Sequence, residues 1–181
     1  MKKIVLSTMA LLMMSGVAIA EENCSDKYVE NQISKYGSIT EKNLLSNISN
    51  QDAIIGVLTY SWEALIDKDY SNDCKGFYFA KKISNYGLSD AYNTVGSYYD
   101  FGKGVEKNWG KAEIWYKKSV NADDNLMALF SLASGYEEHG NIKKSIYWYK
   151  RVVSSQNLRK SLFQNFVNQA KKKIELYEGK R

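Results

Sequence analysis

The stretch AYNTVGSYYDFGKGVEKNWGKAEIWYKKSV, residues 91–120, and the stretch ALFSLASGYEEHGNIKKSIYWYKRVV, residues 128–153, are two copies of one pattern. In the first halves, equivalent residues are separated by one constant number of positions, and the pairs are Ala91 with Ala128, Val95 with Leu132, Gly96 with Ala133 and Tyr99 with Tyr136. In the second halves the separation is constant but smaller, and the pairs are Ala112 with Ser145, Trp115 with Trp148 and Tyr116 with Tyr149. The difference in length lies in the connecting loop. Repeats of this length are typical of stacked helical hairpins, so the pattern predicts a helical array.

A weaker copy precedes these two, and its matching residues are Ala53, Val57, Cys74, Phe77 and Tyr78. Three helix pairs are therefore expected, at residues 50–88, 89–124 and 125–157. The small residues Gly96 and Ala133 are expected to let the second helix of a pair approach the first. Tyr99 and Tyr136 should fill the space one turn later, and Trp115 and Trp148 should pack between repeats.

The predicted helix ends agree with this division. Gly87, Gly102 and Gly140 stand where the chain must adopt a left-handed conformation to leave a helix, which glycine does without steric cost. Asn108 and Asn141 are placed to cap the following helices by accepting a hydrogen bond from a backbone N–H. The chain contains no proline, in keeping with an all-α fold.

Two further helical segments flank the array. Residues 158–181 are expected to form an amphipathic capping helix and a basic tail, because apolar side chains recur every three or four positions at Phe163, Phe166, Ala170, Ile174 and Tyr177. Within residues 21–49, a short N-terminal helix is expected from Tyr28, Val29, Ile33 and Tyr36, followed by Gly37, and a second one from Leu44, Leu45 and Ile48.

The N-terminus has the pattern of a secretory signal peptide at residues 1–20. A charged start is followed by an apolar run and by small residues before an acidic pair: Lys2, Lys3, then Ile4 to Met14, then Ala18, Ile19 and Ala20. The apolar run is shorter than the roughly 20 residues of a membrane-spanning helix, although an uncleaved anchor is the alternative. We therefore expect cleavage after Ala20 and a periplasmic or secreted protein of bacterial type.

Export changes the interpretation of the two cysteines, Cys24 and Cys74, because thiols in an oxidising compartment are usually paired. A Cys24–Cys74 disulfide would close a loop of about 50 residues and, on the chain-entropy model, stabilise the fold by roughly 4 kcal/mol. A free thiol or a metal site is the alternative. With His139 as the only histidine and no CxxC spacing, we expect no metal and no cofactor.

Charge argues against a nucleic-acid partner. The chain carries 25 basic and 20 acidic side chains, a net charge of +5 that falls to +3 when Lys2 and Lys3 are removed. The basic excess collects near the C-terminus, where cations suit the end of a helix: Lys171, Lys172, Lys173, Lys180 and Arg181. This cluster is interpreted as a solvated tail. Neither nucleic acid nor, after signal cleavage, stable membrane insertion is expected.

The middle copy resembles the Sel-one-like repeat, a subclass of tetratricopeptide-like hairpins. The resemblance rests on A-x-x-x-V-G-x-x-Y-x-x-G-x-G-V followed by K-A-x-x-W-Y-x-K, formed here by Ala91, Val95, Gly96, Tyr99, Gly102, Gly104, Val105, Lys111, Ala112, Trp115, Tyr116 and Lys118. The third copy lacks the G-x-G-V loop, and the first has Leu58 and Ser61 where glycine and tyrosine are usual. The resemblance implies a right-handed α-solenoid of about three hairpins, whose first helices line a concave face that binds proteins or peptides.

On such a solenoid, helical spacing selects the first-helix residues that face away from the core. We refer to them as the predicted face: Asp52, Ile55, Thr59, Trp62, Glu63, Asp90, Asn93, Ser97, Asp100, Met127, Phe130, Ser134, Glu137 and Glu138. Acidic groups dominate it and aromatic residues interrupt it. Such a surface would suit a partner with Lys or Arg around an apolar anchor. The alternative is an ordinary solvated helix face.

Catalytic chemistry is not indicated. Gly102-Lys103-Gly104 lacks the strand and third glycine of a phosphate-binding loop, and His139 is placed to cap a helix C-terminus. The pairs Asp123-Asp124 and Glu137-Glu138 are adjacent in sequence and point in different directions on a helix. The aromatic residues of the second helices are interpreted as core, with sugar stacking as a minor alternative.

The expected function is therefore non-enzymatic binding of a partner protein. One specific form is an immunity protein against a toxin delivered to the periplasm, and another is an adaptor for an envelope or secretion assembly. A hydrolase or binder of beta-lactams or peptidoglycan is the competing class, since certain cysteine-rich relatives are linked to beta-lactam recognition. Those relatives carry cysteines in every repeat, whereas the second and third copies here contain none. The sequence leaves the oligomeric state open.

Overall fold

The computed structural model describes residues 24–38, 41–43, 46, 51–66, 72–157 and 159–179. Within these ranges the chain forms helices and no strand, which confirms the all-α prediction. The helices are α1 (Asp26–Tyr36), α2 (Gln51–Ile66), α3 (Asp73–Ser84), α4 (Ser89–Phe101), α5 (Trp109–Asp123), α6 (Leu126–Glu138), α7 (Ile142–Ser154), a 3-10 helix (Lys160–Phe163) and α8 (Gln164–Glu178). None of the helices described is both long and apolar enough to cross a membrane. The predicted signal peptide and Leu44, Leu45 and Ile48 lie outside the described residues.

Neighbouring helices pack in pairs. The main pairs are α2 with α3, α4 with α5, and α6 with α7. Each pair then contacts the next, because α3 packs against α4 and α5 against α6, while α8 covers α7 at the C-terminal end. These three pairs correspond to the three copies read from the sequence.

The predicted helix ends have the local structure expected of them. Gly87, Gly102 and Gly140 have φ angles of 77°, 72° and 74°, the left-handed region that side-chain-bearing residues rarely adopt. Asn108 Oδ1 accepts the backbone N–H of Lys111 at 2.9 Å, and Asn141 caps α7 in the same way. Asn125 caps α6 by the same geometry, although the repeat pattern did not predict it.

Close packing within the second pair depends on Gly96. A Cβ placed on this residue would lie 2.7 Å from Cδ1 of the Tyr116 ring, closer than real Cβ contacts allow. The absence of a side chain at Gly96 therefore lets the Tyr116 ring of α5 lie directly on the α4 backbone. In the third pair, Ala133 at the matching position is fully buried.

The apolar interior consists of three clusters that follow the order of the repeats. The first joins α1 to the first pair and the second joins the first pair to α4. The third and largest joins the last two pairs to α8, and includes Trp148, Tyr149, Val167 and Ala170. Trp115 is half-buried against the second cluster, with its ring 5.8 Å from that of Tyr92.

The N-terminal segment that contains α1 is joined to the first pair by a covalent bond and by polar contacts. Cys24 and Cys74 form the predicted disulfide, with their Cα atoms 5.1 Å apart. Val29 and Ile33 of α1 are buried, as its apolar spacing predicted. Close by, Glu41 accepts hydrogen bonds from Tyr60 Oη at 2.8 Å and from Lys75 Nζ at 2.7 Å.

The C-terminal segment differs from prediction in where its helix begins. The regular helix α8 starts at Gln164, because residues 160–163 form a 3-10 turn instead. Val167 and Ala170 are the buried residues of α8, and Phe163 and Ile174 pack against the same cluster from its edge. An amphipathic helix is thus present within residues 158–181, of which Leu158, Lys180 and Arg181 lie outside the described residues.

Candidate functional site: an acidic, aromatic cavity between the first helices

The predicted face is distributed over α2, α4 and α6, the first helices of the three pairs. Its most accessible part lies on α2, where Ile55 is 70% exposed and Thr59 and Glu63 are also exposed. Trp62, on the same helix, is half-buried. The side chain of Asp52 lies outside the described residues.

Two members of the predicted face, Asn93 and Ser97, do not avoid the core as expected. Both are buried, with 3% and 5% of their surface exposed. Ser97 is enclosed because Tyr116 lies over this side of α4 and donates a hydrogen bond from its hydroxyl to Ser97 Oγ at 3.3 Å. Helical spacing identified the direction of these side chains but not the neighbouring residues that bury them.

Residues from all three first helices meet at one cavity of about 440 Å³, which we call the interhelix cavity. Its lining includes members of the predicted face, namely Thr59, Trp62, Asp90, Asn93 and Met127. It also includes residues that the sequence did not place there, namely Leu58, Thr94, Arg159 and Phe163. Its walls are mainly apolar, with a few polar groups, as is typical of binding sites. The repeat alignment therefore brought together Thr59, Trp62, Asp90, Asn93 and Met127, which lie far apart in the chain.

Arg159 and Phe163 reach this cavity from the segment between α7 and α8. The Arg159 guanidinium donates to both carboxylate oxygens of Asp90, at 2.8 and 3.2 Å, and lies 3.6 Å from Asp123 Oδ2. The hydrogen bonds from Arg159 to Asp90 raise the arginine pKa further above its usual value. The sequence does offer a signal for this contact. Only three of its basic residues are arginines, and arginine rather than lysine suits bidentate binding of a carboxylate.

At the far end of the predicted face, Glu137 is engaged by the C-terminal helix. It accepts hydrogen bonds from Lys173, Tyr177 and Tyr149. Burial alone would raise the pKa of Glu137, but these three hydrogen bonds outweigh burial and place the pKa below its usual value. Glu137 therefore stays ionised and joins α6 to α8.

Other members of the predicted face are also involved in internal contacts. Asp100 Oδ2 accepts from Tyr116 Oη at 3.1 Å, and burial raises the Asp100 pKa although this hydrogen bond opposes it. The Phe130 ring lies 4.8 Å from that of Phe166 on α8. Ser134 donates to backbone carbonyls of its own helix, whereas Glu138 is exposed. Apart from Glu138, the accessible part of the predicted face is therefore at α2 and the interhelix cavity.

The residues considered for catalysis are engaged in hydrogen bonds and packing contacts within the fold. His139 ends α6, with Nδ1 at 2.8 Å from the carbonyl oxygen of Gly135, and its ring stacks on Trp109 with centroids 5.1 Å apart. Gly104 in the loop after α4 packs against the backbone of Asp73. Within the part of the chain that the structure describes, no three His, Cys, Asp or Glu side chains are grouped as metal ligands would be.

No protein-family model matches this chain, and no curated protein or solved structure is significantly similar to it. The resemblance to the Sel-one-like repeat therefore rests on the residues of the repeats themselves.

Proposed function

We propose that this protein is an exported, non-enzymatic binding module of the Sel-one-like type, which holds a partner protein on the first-helix side of its stacked hairpins. The observation that carries the proposal is the convergence of Trp62, Asp90 and Met127, from three successive first helices, on one cavity. Stacked helical repeats typically form extended surfaces that bind other proteins.

The charge and apolar character of this surface support a basic partner with an apolar anchor. Asp90 lies at the cavity, with Glu63 exposed nearby on α2, and the exposed side chain of Ile55 continues the apolar area. Buried aromatic and aliphatic anchors supply most of the binding energy at protein interfaces, while complementary charge sets the association rate and the register.

Location in the periplasm or outside the cell belongs to the same proposal. It is supported by the signal-peptide pattern of residues 1–20 and by the Cys24–Cys74 disulfide, because disulfides persist in oxidising compartments. Within that location, the specific form we favour is an immunity protein that blocks a toxin by occupying it one to one. A compact chain with a single binding side suits that role.

The test is affinity capture by the mature chain from periplasmic extract, and from cells that co-express the product of the neighbouring gene. We expect a single partner in one-to-one ratio, lost with Ile55→Asp and retained with Ile114→Asp. Ile114 is a matched control because it is also exposed, at 57% against 70% for Ile55, but lies on α5, the second helix of its pair. Equal capture by both variants would contradict the proposed binding side.

The pattern of capture separates the immunity form from the adaptor form. A tight complex with one neighbouring gene product supports immunity, whereas several weakly held envelope proteins, each dependent on Ile55, support an adaptor. Turnover of a beta-lactam or a peptidoglycan fragment by the purified mature chain would overturn the non-enzymatic proposal.

A further inference from the structure

The interhelix cavity has an acidic rim that the chain itself occupies. Asp90 begins α4 and Asp123 ends α5, so two carboxylates from different helices stand near one guanidinium, that of Arg159. Four residues further along the chain, Phe163 lines the same cavity as Trp62 and Met127. An arginine followed by an aromatic residue is thus bound to an acidic, aromatic surface within a single molecule.

This internal contact has the features of one that can open. The side chains of Arg159 and Asp90 are 40% and 44% exposed, so solvent and salt reach this ion pair and screen it more than a buried one. The 3-10 helix Lys160–Phe163 contains no buried residue, whereas α8 is anchored by buried Val167 and Ala170. Residues 159–163 can therefore separate from the cavity while α8 stays in place, since segments with few buried contacts open locally at low cost.

The cavity also holds a polar atom that none of the described residues satisfies. Asn93 Oδ1 is buried in the wall and accepts no hydrogen bond there, although its residue is only 3% exposed. A buried acceptor without a donor is unfavourable, and a ligand N–H that reaches it would gain correspondingly. Arg159 and Phe163 line the same cavity and leave Asn93 Oδ1 without a donor.

We propose that the interhelix cavity recognises polypeptide segments that carry an arginine and, one helical turn later, an aromatic side chain, and that residues 159–163 occupy the rim as an internal ligand which such a segment displaces. The partner's arginine takes the carboxylates of Asp90 and Asp123. Its aromatic ring lies against Trp62 and Met127, and a backbone or side-chain N–H donates to Asn93 Oδ1. The existence of a partner protein rests on the proposed function, but recognition of the arginine and the aromatic side chain can be measured without that partner.

The experiment uses a fluorescent synthetic peptide with the sequence of residues 157–166, NLRKSLFQNF, and fluorescence anisotropy. The mature Arg159→Ala/Phe163→Ala protein, in which the internal ligand is removed, is expected to bind this peptide about tenfold or more tightly than the wild-type protein. The wild type binds weakly because its own segment competes at the high effective concentration of a tethered ligand.

The peptide itself supplies a charge-matched control. An Arg159→Ala peptide is expected to lose binding, while a Lys160→Ala peptide of the same net charge keeps it, because Lys160 Nζ contacts only the carbonyls of Val153 and Ser155. Adding Asp90→Asn to the Arg159→Ala/Phe163→Ala protein should weaken binding of the two peptides that keep Arg159 and leave that of the Arg159→Ala peptide unchanged. An equal loss of affinity for the two altered peptides would overturn the proposal, because it would indicate non-specific electrostatic attraction.

Folding and oligomerisation are controlled separately. Circular dichroism shows whether the double variant is folded, and the milder Arg159→Gln variant repeats the measurement if it is not. A folded variant of either kind that fails to bind the peptide overturns the inference, and leaves the proposed function to its own test at Ile55. A wild-type dimer that Arg159→Ala abolishes would assign the rim to a second copy, and would also overturn it.

Discussion

Tyrosine hydroxyls are the main polar connection between helices in this protein. Their rings are buried or half-buried, and each hydroxyl donates to a carboxylate on another element: Tyr60 to Glu41, Tyr78 to Glu30, Tyr116 to Asp100, Tyr136 to Glu113 and Tyr149 to Glu137. Tyrosine thereby supplies apolar area to the core and satisfies an acid at its edge. This accounts for the abundance of tyrosine among the repeat positions.

One of these rings sets the sharpest constraint on a single residue. Gly96→Ala would place a methyl group against the buried Tyr116 ring, which cannot move without breaking its bonds to Ser97 and Asp100. We expect the free energy of unfolding to fall by about 1–3 kcal/mol, the usual cost of overpacking. Urea unfolding followed by circular dichroism measures this change.

The same substitution at Gly110 is the control. Gly110 is exposed near the start of α5, where an added Cβ meets only Asn108 Oδ1 at 3.4 Å. Alanine is the better helix former by up to about 1 kcal/mol, so Gly110→Ala should leave stability unchanged or raise it. A loss at Gly110 as large as that at Gly96 would contradict the packing argument.

The N-terminal helix α1 is attached to the rest of the protein through α3. It is anchored by buried Val29 and Ile33, by the hydrogen bond from Tyr78 Oη to Glu30 at 2.6 Å, and by the disulfide to Cys74. The C-terminal end has a different arrangement, in which a weakly held 3-10 turn precedes a well-anchored α8. The covalent link therefore holds α1, the shortest α-helix among the described residues.

Removal of the disulfide tests this attachment. For Cys24→Ser/Cys74→Ser, we expect the free energy of unfolding to fall by up to about 4 kcal/mol, because the 50-residue separation no longer constrains the unfolded chain. Hydrogen exchange in α1 should rise more than in α6 or α7. Reduction of the wild-type protein should reproduce the effect, and unchanged stability in both cases would show that the bond constrains nothing.

Over the entire chain, the pH dependence of stability follows from which carboxylates are ionised in the folded state. Burial would raise the pKa of Glu41, but hydrogen bonds from Lys75, Tyr60 and the Ser38 backbone outweigh it and lower that pKa from 4.5 to about 2. The pKa values of Glu30, Glu113 and Glu137 are also lowered. Asp100 works in the opposite direction because its pKa is raised.

Lowered carboxylate pKa values stabilise the folded state above the unfolded-state pKa, and this stabilisation is lost as pH falls through the folded-state value. We therefore expect the free energy of unfolding to decrease from about pH 5 towards pH 2. Glu41→Gln should lower stability at neutral pH by about 1–3 kcal/mol and flatten this decrease, whereas Glu175→Gln, at an exposed position, should do neither. Urea unfolding over a pH series measures both.

The sequence by itself determined the helical class, the three pairs, the glycine and asparagine helix ends and the disulfide. These features follow from local backbone preference, from spacing along a helix and from the count of cysteines, and all three are properties of the chain before it folds. The repeat alignment also placed Trp62, Asn93 and Met127 on one side, because equivalent positions of stacked repeats share a direction.

Only the tertiary structure decided what covers that side. Arg159 bonds to Asp90 across a separation of 69 residues, and Lys173 bonds to Glu137 across 36. Such contacts depend on how one segment crosses another, and periodicity within a helix carries no information about that crossing. The burial of Asn93 and Ser97 has the same origin, since their direction is set by α4, but their enclosure depends on side chains from the helices packed against it.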